Sequence, residues 1–313
     1  MIPTPRARPE PPAGRICTAM ATPFAPDGSL DLDACRALAR HLVEHGSEGL
    51  VLAGTTGEGP TLNDGEKLAL FEAVLDEVGG DARVIANTGT YDTAHSVHLT
   101  RDARRLGVHG FLAVTPYYNK PPAEGLARHF AAIAVAADGL PVIIYNIPQR
   151  VILNLEPALI ARFARESANV VAVKQATTDL EQARAILEAG LVLYAGNDDL
   201  LAPFLELGGS GGICVASHLI GSDMLHMCEL AEARDFDGVR ALDRELSPMY
   251  EALSVTTNPI PLKAALELIG LRVGAPRLPL VEATDEQCAV VRSALRGSQR
   301  ISAALGGLES PPV

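Results

Sequence analysis

Lys174 closes a short apolar run, Val170-Val171-Ala172-Val173, and a polar turn follows it. A β-branched run of this length reads as a buried strand. An amine at the end of such a strand either reaches out to solvent or is kept for chemistry. The chemistry open to it is attack on a ketone to form an imine. The amine must be neutral to attack, and burial among apolar neighbours disfavours the charged form. Other apolar runs end on groups that suit the same reaction. GTTGEG (54–59) follows the run at 49–53, TPYYN (115–119) closes that at 110–115, and YNIPQR (145–150) closes that at 141–146. Loss of water from a carbinolamine needs protons moved in and out. The Tyr145 phenol can move them if a chain of hydroxyls, Thr55 and Tyr118, shares the task. Backbone N–H groups at Thr55 and Thr56 can hold a carboxylate. Arg150 can clamp a second one bidentately. Such a site is expected to need no metal and no organic cofactor.

Taken singly, each group has a plain structural reading. A strand-end lysine is more often exposed than catalytic. GTTGEG is neither GxGxxG nor a Walker A loop and reads alone as a tight turn. Tyr117 and Tyr118 can be a packed pair, and Arg150 an ordinary surface residue. The chemical reading rests on all of them following strands in one register.

The elements that must supply that register recur along the chain. Strand-like runs stand at 16–22, 49–53, 83–87, 110–115, 141–146, 170–174, 191–195 and 211–215, each followed by an amphipathic helix. Eight such units predict an α/β fold, a closed (β/α)8 TIM barrel over 14–217 with its active site at the C-terminal strand ends. Asp31 is expected to cap one helix. Asn63 with Glu66 three residues on forms a capping-box variant for another. After the eighth run the pattern becomes helix upon helix, so 218–303 are expected to form a helical appendage packed on the barrel, interrupted near Pro259 and Pro261. Residues 1–13, with five prolines, and 304–313 read as flexible segments outside the fold.

The 313 residues are 48% hydrophobic and carry a formal charge of −12. That balance argues against nucleic acid or an anionic membrane as partner. No apolar run reaches membrane-spanning length, and the first residues lack the apolar core of a signal peptide. Five scattered cysteines without CxxC spacing fit free thiols in a reducing cytoplasm. His41 with His45 and His95 with His98 lack any HExxH context and are expected on solvated helix faces. Asp198 and Asp199 read as helix-capping residues rather than cation ligands.

GTTGEGPTLNDGEK, VTPYYNKPPAEGLARHF, IIYNIPQR, VVAVKQATTDL, AGNDDLLAPFLELGGSGGICV and NPIPLKAALELIG occur in this order. Together they resemble the dihydrodipicolinate synthase family of pyruvate-dependent class I aldolases, over about 16–296. The resemblance implies a lyase that condenses pyruvate with L-aspartate 4-semialdehyde, giving 4-hydroxy-tetrahydrodipicolinate in lysine and diaminopimelate biosynthesis. Lys174 would form the imine and Tyr145 act as general acid and base. Thr55 and Tyr118 would complete a proton relay, Tyr118 reaching in from a neighbouring subunit. A homo-oligomer follows, a dimer or a tetramer built of dimers. Thr56 would hold the pyruvate carboxylate, Arg150 the carboxylate of an acidic aldehyde, and the Ile213 carbonyl would line the site.

N-acetylneuraminate lyases share the lysine and tyrosine but generally lack the arginine, so Arg150 favours an acidic acceptor. The sequence departs from the family pattern at Gly59, Gln175, Asn197 and Val151. These departures keep open a related aldolase for another aldehyde or a sugar acid, and more remotely a non-catalytic barrel binding a small acid. Lysine-inhibited members carry an asparagine and a glutamate where this chain has Tyr91 and His95, so weak or absent lysine inhibition is expected.

Overall fold

The computed structural model describes residues 10–297. The expected segment 304–313 and most of 1–13 lie outside these residues. Eight parallel strands close into a barrel in chain order. They are β1 (Ile16–Ala19), β2 (Gly49–Leu52), β3 (Arg83–Asn87), β4 (Gly110–Val114), β5 (Val142–Asn146), β6 (Val170–Gln175), β7 (Val192–Ala195) and β8 (Gly211–Cys214). Cys17 of β1 pairs with both Gly49 and Ile213, which closes the ring.

The strands are buried on both faces, which is why they read as continuous apolar runs rather than alternating ones. Their two-residue period still sorts the side chains. Cys17, Val51, Ile143, Tyr145, Tyr194 and Ile213 pack inside the barrel. Ile16, Leu50, Ile144, Val173 and Leu193 face the surrounding helices. Lys174, next after outward-facing Val173, is thereby turned inward beside Tyr145, its register partner on β5.

The helices are α1 (Leu32–Glu44), α2 (Asp64–Val78), α3 (Thr93–Leu106), α4 (Ala123–Ala137), α5 (Pro148–Val151), α6 (Pro157–Glu166), α7 (Leu180–Glu188), α8 (Leu201–Leu207), α9 (Ser217–Glu232), α10 (Phe236–Leu253), α11 (Ile260–Leu268) and α12 (Asp285–Gly297). Asp31 caps α1 by accepting from Ala34 N. Asn63 and Glu66 exchange both bonds of a capping box at α2. α9 packs on β1 and α1, closing the helical ring beyond position 217. Pro259 is the N-cap of α11 and Pro261 lies in its first turn, so the prolines start this helix. No helix among the described residues is long and apolar enough to cross a membrane.

One expectation is corrected at the N-terminal end. Ala13 does not lie outside the fold: it is fully buried with the barrel interior, and its N–H donates to the Tyr194 phenol at 3.0 Å. The apolar bottom of the barrel needs a cover, and this residue provides part of it.

Candidate active site

At the C-terminal strand ends lies a cavity of about 510 Å³. The loop after β2 brings Thr55 and Thr56 to it, β5 and α5 bring Tyr145 and Arg150, and β6 brings Lys174. Asn197, Asp198 and Asp199 enter after β7, and Tyr250, Glu251 and Asn258 enter from α10 and the turn before α11. Lys174 is 4% exposed, and its Nζ stands 4.3 Å from the centre of the Tyr145 ring. The amine and the phenol are therefore within reach of one small substrate. Thr115 fixes the strand end, its N–H and its hydroxyl both donating to the Tyr145 carbonyl.

The loop 53–59 is held by its backbone. Ala53 and Glu58 have positive φ. Gly59 comes so close to Ala53 that a Cβ would stand 2.1 Å from the Ala53 carbonyl oxygen. A serine here would require the loop to shift. Thr56 is buried and its hydroxyl accepts from Asn258 Nδ2 at 2.9 Å. Glu58 is anchored to Lys263 at 2.7 Å and accepts from the Arg277 N–H at 2.8 Å.

Arg150 is exposed at the rim, and its guanidinium makes no hydrogen bond or ion pair with the described residues. Its guanidinium is thus available to a ligand. Ile213 is fully buried inside the barrel, and it is Val215, two residues on, that lines the cavity. Tyr118 is not brought to its own chain's cavity. It is 91% exposed, with φ +71°. Tyr117 instead packs edge-on against Tyr91, with ring centres 5.2 Å apart.

Gln175 faces away from the site. It is fully buried, accepts from Asn146 and donates to Gln182, in a network of side-chain amides. An acidic side chain here could not make that donation. Asp198 caps as expected, but across space. Its carboxylate accepts from the N–H groups of Val215 and Ala216 at the start of α9, while burial raises its pKa. His41 and His45 are half-buried and stacked, 4.0 Å between ring centres, rather than solvated. His95 Nε2 sits 2.9 Å from Asp64. No group of three or more His, Cys, Asp or Glu among the described residues is placed to hold a metal.

Sequence reasoning assigned nothing to Tyr250, Glu251, Lys263 or Asn258. The last two lay in the recognised segment NPIPLK. None follows a barrel strand, so strand-end register could not flag them.

Residues 12–297 match the Dihydrodipicolinate synthetase family. A 4-hydroxy-tetrahydrodipicolinate synthase of Moorella thermoacetica is 51% identical over 286 residues, covering 90% of this chain and 97% of the relative. The enzyme of that name from Symbiobacterium thermophilum is 50% identical over 285 residues, with 90% and 97% covered. Among solved structures, DHDPS from Cyanidioschyzon merolae with lysine bound superposes with a TM-score of 0.90 at 40% identity, covering 91% of this chain and 98% of that one. The strand-end amine, the tyrosine beside it and the arginine at the rim thus sit in a barrel that shares its sequence with these enzymes along nearly its whole length: the chain belongs to the dihydrodipicolinate synthetase family.

Proposed function

We propose that this protein condenses pyruvate with L-aspartate 4-semialdehyde through an imine on Lys174. The observation that carries this reading is the buried Lys174 amine, 4.3 Å from the Tyr145 ring centre, in a cavity that also holds the unpaired Arg150. Lys174 Nζ adds to the C2 carbonyl of pyruvate, and the carbinolamine loses water to give the imine. A C3 proton leaves, forming an enamine. C3 then attacks the aldehyde carbon, and the aldehyde oxygen takes up a proton to become the hydroxyl. The amine of the second substrate displaces Lys174, closing the ring as 4-hydroxy-tetrahydrodipicolinate and freeing the lysine.

Tyr145 carries the protons at the carbinolamine and at the new hydroxyl, with Thr55 and a neighbouring subunit's copy of Tyr118 completing the relay. Thr56 holds the pyruvate carboxylate and Arg150 that of the aldehyde. The smallest competent unit is then a dimer, which can pair further into a tetramer. Five free thiols, four of them buried, suit a cytoplasmic setting.

Borohydride reduction in the presence of pyruvate, followed by peptide mass spectrometry, tests the first step. A reduced adduct on Lys174, lost in Lys174→Ala, is expected; no adduct would exclude the imine route. A panel of aldehydes tests the acceptor. Arg150→Ala should raise the KM for aspartate semialdehyde far more than that for pyruvate. Equal changes would remove Arg150 from its role.

A further inference from the structure

The cavity contains polar groups that the reaction so far leaves unused. Tyr250 is 6% exposed and lines the cavity, yet its phenol oxygen has no hydrogen-bond partner among the described residues. A buried hydroxyl in that condition is costly, and native folds retain few of them. The fold also gives this position a specific support. Pro248, inside α10, has no N–H for the Arg244 carbonyl, and the Ser247 hydroxyl donates to that carbonyl at 3.1 Å instead. The helix therefore continues through the proline and delivers Tyr250 to the cavity.

Charge surrounds this phenol unevenly. Asp198 and Asp243 lie near it and, with burial, raise its pKa, so it stays protonated. Asp198 is engaged with the start of α9. Asp199 and Glu251 also line the cavity, are exposed, and make no hydrogen bond or ion pair through their carboxylates with the described residues. The cavity thus offers one unpaired guanidinium, Arg150, and two unpaired carboxylates beside an unpartnered hydroxyl. That set complements a ligand carrying both a carboxylate and an ammonium.

We propose that Tyr250, with the carboxylates of Asp199 and Glu251, determines acceptor specificity by receiving the ammonium group of the aldehyde substrate. The phenol oxygen accepts from the ammonium, and the two carboxylates offset its charge. An aldehyde of the same length without the amino group leaves the phenol unpartnered and is discriminated against. This inference rests on the pyruvate-aldolase reading above.

The test compares L-aspartate 4-semialdehyde with succinate semialdehyde, which lacks only the amino group. For Tyr250→Phe, the KM for aspartate semialdehyde is expected to rise about tenfold, while the inhibition constant of succinate semialdehyde, which has no amine to displace Lys174 and is therefore read as a competitor, stays within about twofold. The melting temperature should hold or rise, because an unpartnered buried hydroxyl has been removed; a packing role would lower it instead. Glu251→Gln, at an exposed position, is a second probe that leaves the fold intact. It should raise the aspartate semialdehyde KM about threefold and spare the other aldehyde. Equal shifts for both aldehydes, or no shift in either variant, would overturn the proposal. Pyruvate trapping on Lys174 is run alongside. If wild-type protein traps none, the proposed reaction itself fails; trapping with unchanged aldehyde preference refutes Tyr250 alone.

Discussion

Lys263 Nζ lies 2.7 Å from Glu58 Oε1, with the two side chains 3% and 1% exposed. The pair joins α11 to the loop that carries Thr55 and Thr56. Glu58 Oε2 accepts from the Arg277 N–H, and both Lys263 Nζ and the Arg277 guanidinium stand 4.3 Å from the centre of the Phe24 ring. Two charges taken from water cost several kcal/mol each, and close pairing offsets that cost. Removing one partner leaves the other buried and uncompensated. Lys263→Met should therefore lower stability by about 3–5 kcal/mol, whereas Glu58→Gln with Lys263→Met should recover most of the loss. Denaturant unfolding of the three proteins checks this. A single variant as stable as wild type would mean the pair is open in solution.

Lysine should not inhibit at submillimolar concentration. A site for its ammonium groups needs free carboxylates. Asp64 is held by His95 at 2.9 Å and faces Lys67 Nζ at 4.0 Å. Lys67 itself is 7% exposed and lines a neighbouring cavity of about 340 Å³ with Tyr117 and Thr90. A cation there opposes another cation. Initial rates across a lysine series test it, and half-inhibition below millimolar lysine would contradict it.

The barrel was legible because its strands are short, apolar and regularly spaced. The expected run 83–87 matches β3 and the expected 170–174 ends one residue short of β6. The site was legible where chemistry follows a strand directly, as at Lys174, Tyr145 and Arg150. It was not legible where the chain returns from far away. The partner of Glu58 lies 205 residues on, on a helix whose lysine has no local pattern to mark it. Tyr250 reads as one more apolar position of an amphipathic helix. Only the fold shows that its hydroxyl lies at a cavity. Ala13 was misread because proline-rich sequence signals extension but says nothing of what it covers.

Acid should weaken the fold before carboxylates titrate. His218 uses both ring nitrogens in its neutral form. Nε2 accepts from Ala21 N at 3.1 Å and Nδ1 donates to the Val215 carbonyl at 2.8 Å. Burial pushes its pKa down to about 4, and that of His129 likewise. Between the ordinary value of 6.5 and about 4, the unfolded chain binds protons that the folded chain refuses. Stability is thus fully present above that window and falls as pH drops through it, by roughly 3 kcal/mol per histidine at the acid end. Glu48 and Glu66, held below the carboxylate range by side-chain bonds from Arg15 and Arg277 against the opposing effect of burial, add their losses only at lower pH. Unfolding midpoints from about pH 7 to about pH 5 should decline, and less steeply in His218→Gln. A flat profile would place the histidines in contact with water.

Tyr118 and Lys174 should act in different copies of the chain. Tyr118 is 91% exposed and does not line its own cavity, while Lys174 is 4% exposed within it. Lys174→Ala and Tyr118→Phe should each have little activity alone. Mixed and allowed to exchange subunits, they should form hybrid dimers in which one of the two sites has both native residues. Random exchange at equal amounts makes half the dimers hybrid, so about a quarter of all sites should be intact. If Tyr118 served its own chain, every site in the mixture would carry one defect. Activity would then stay at the average of the two variants however long they exchanged.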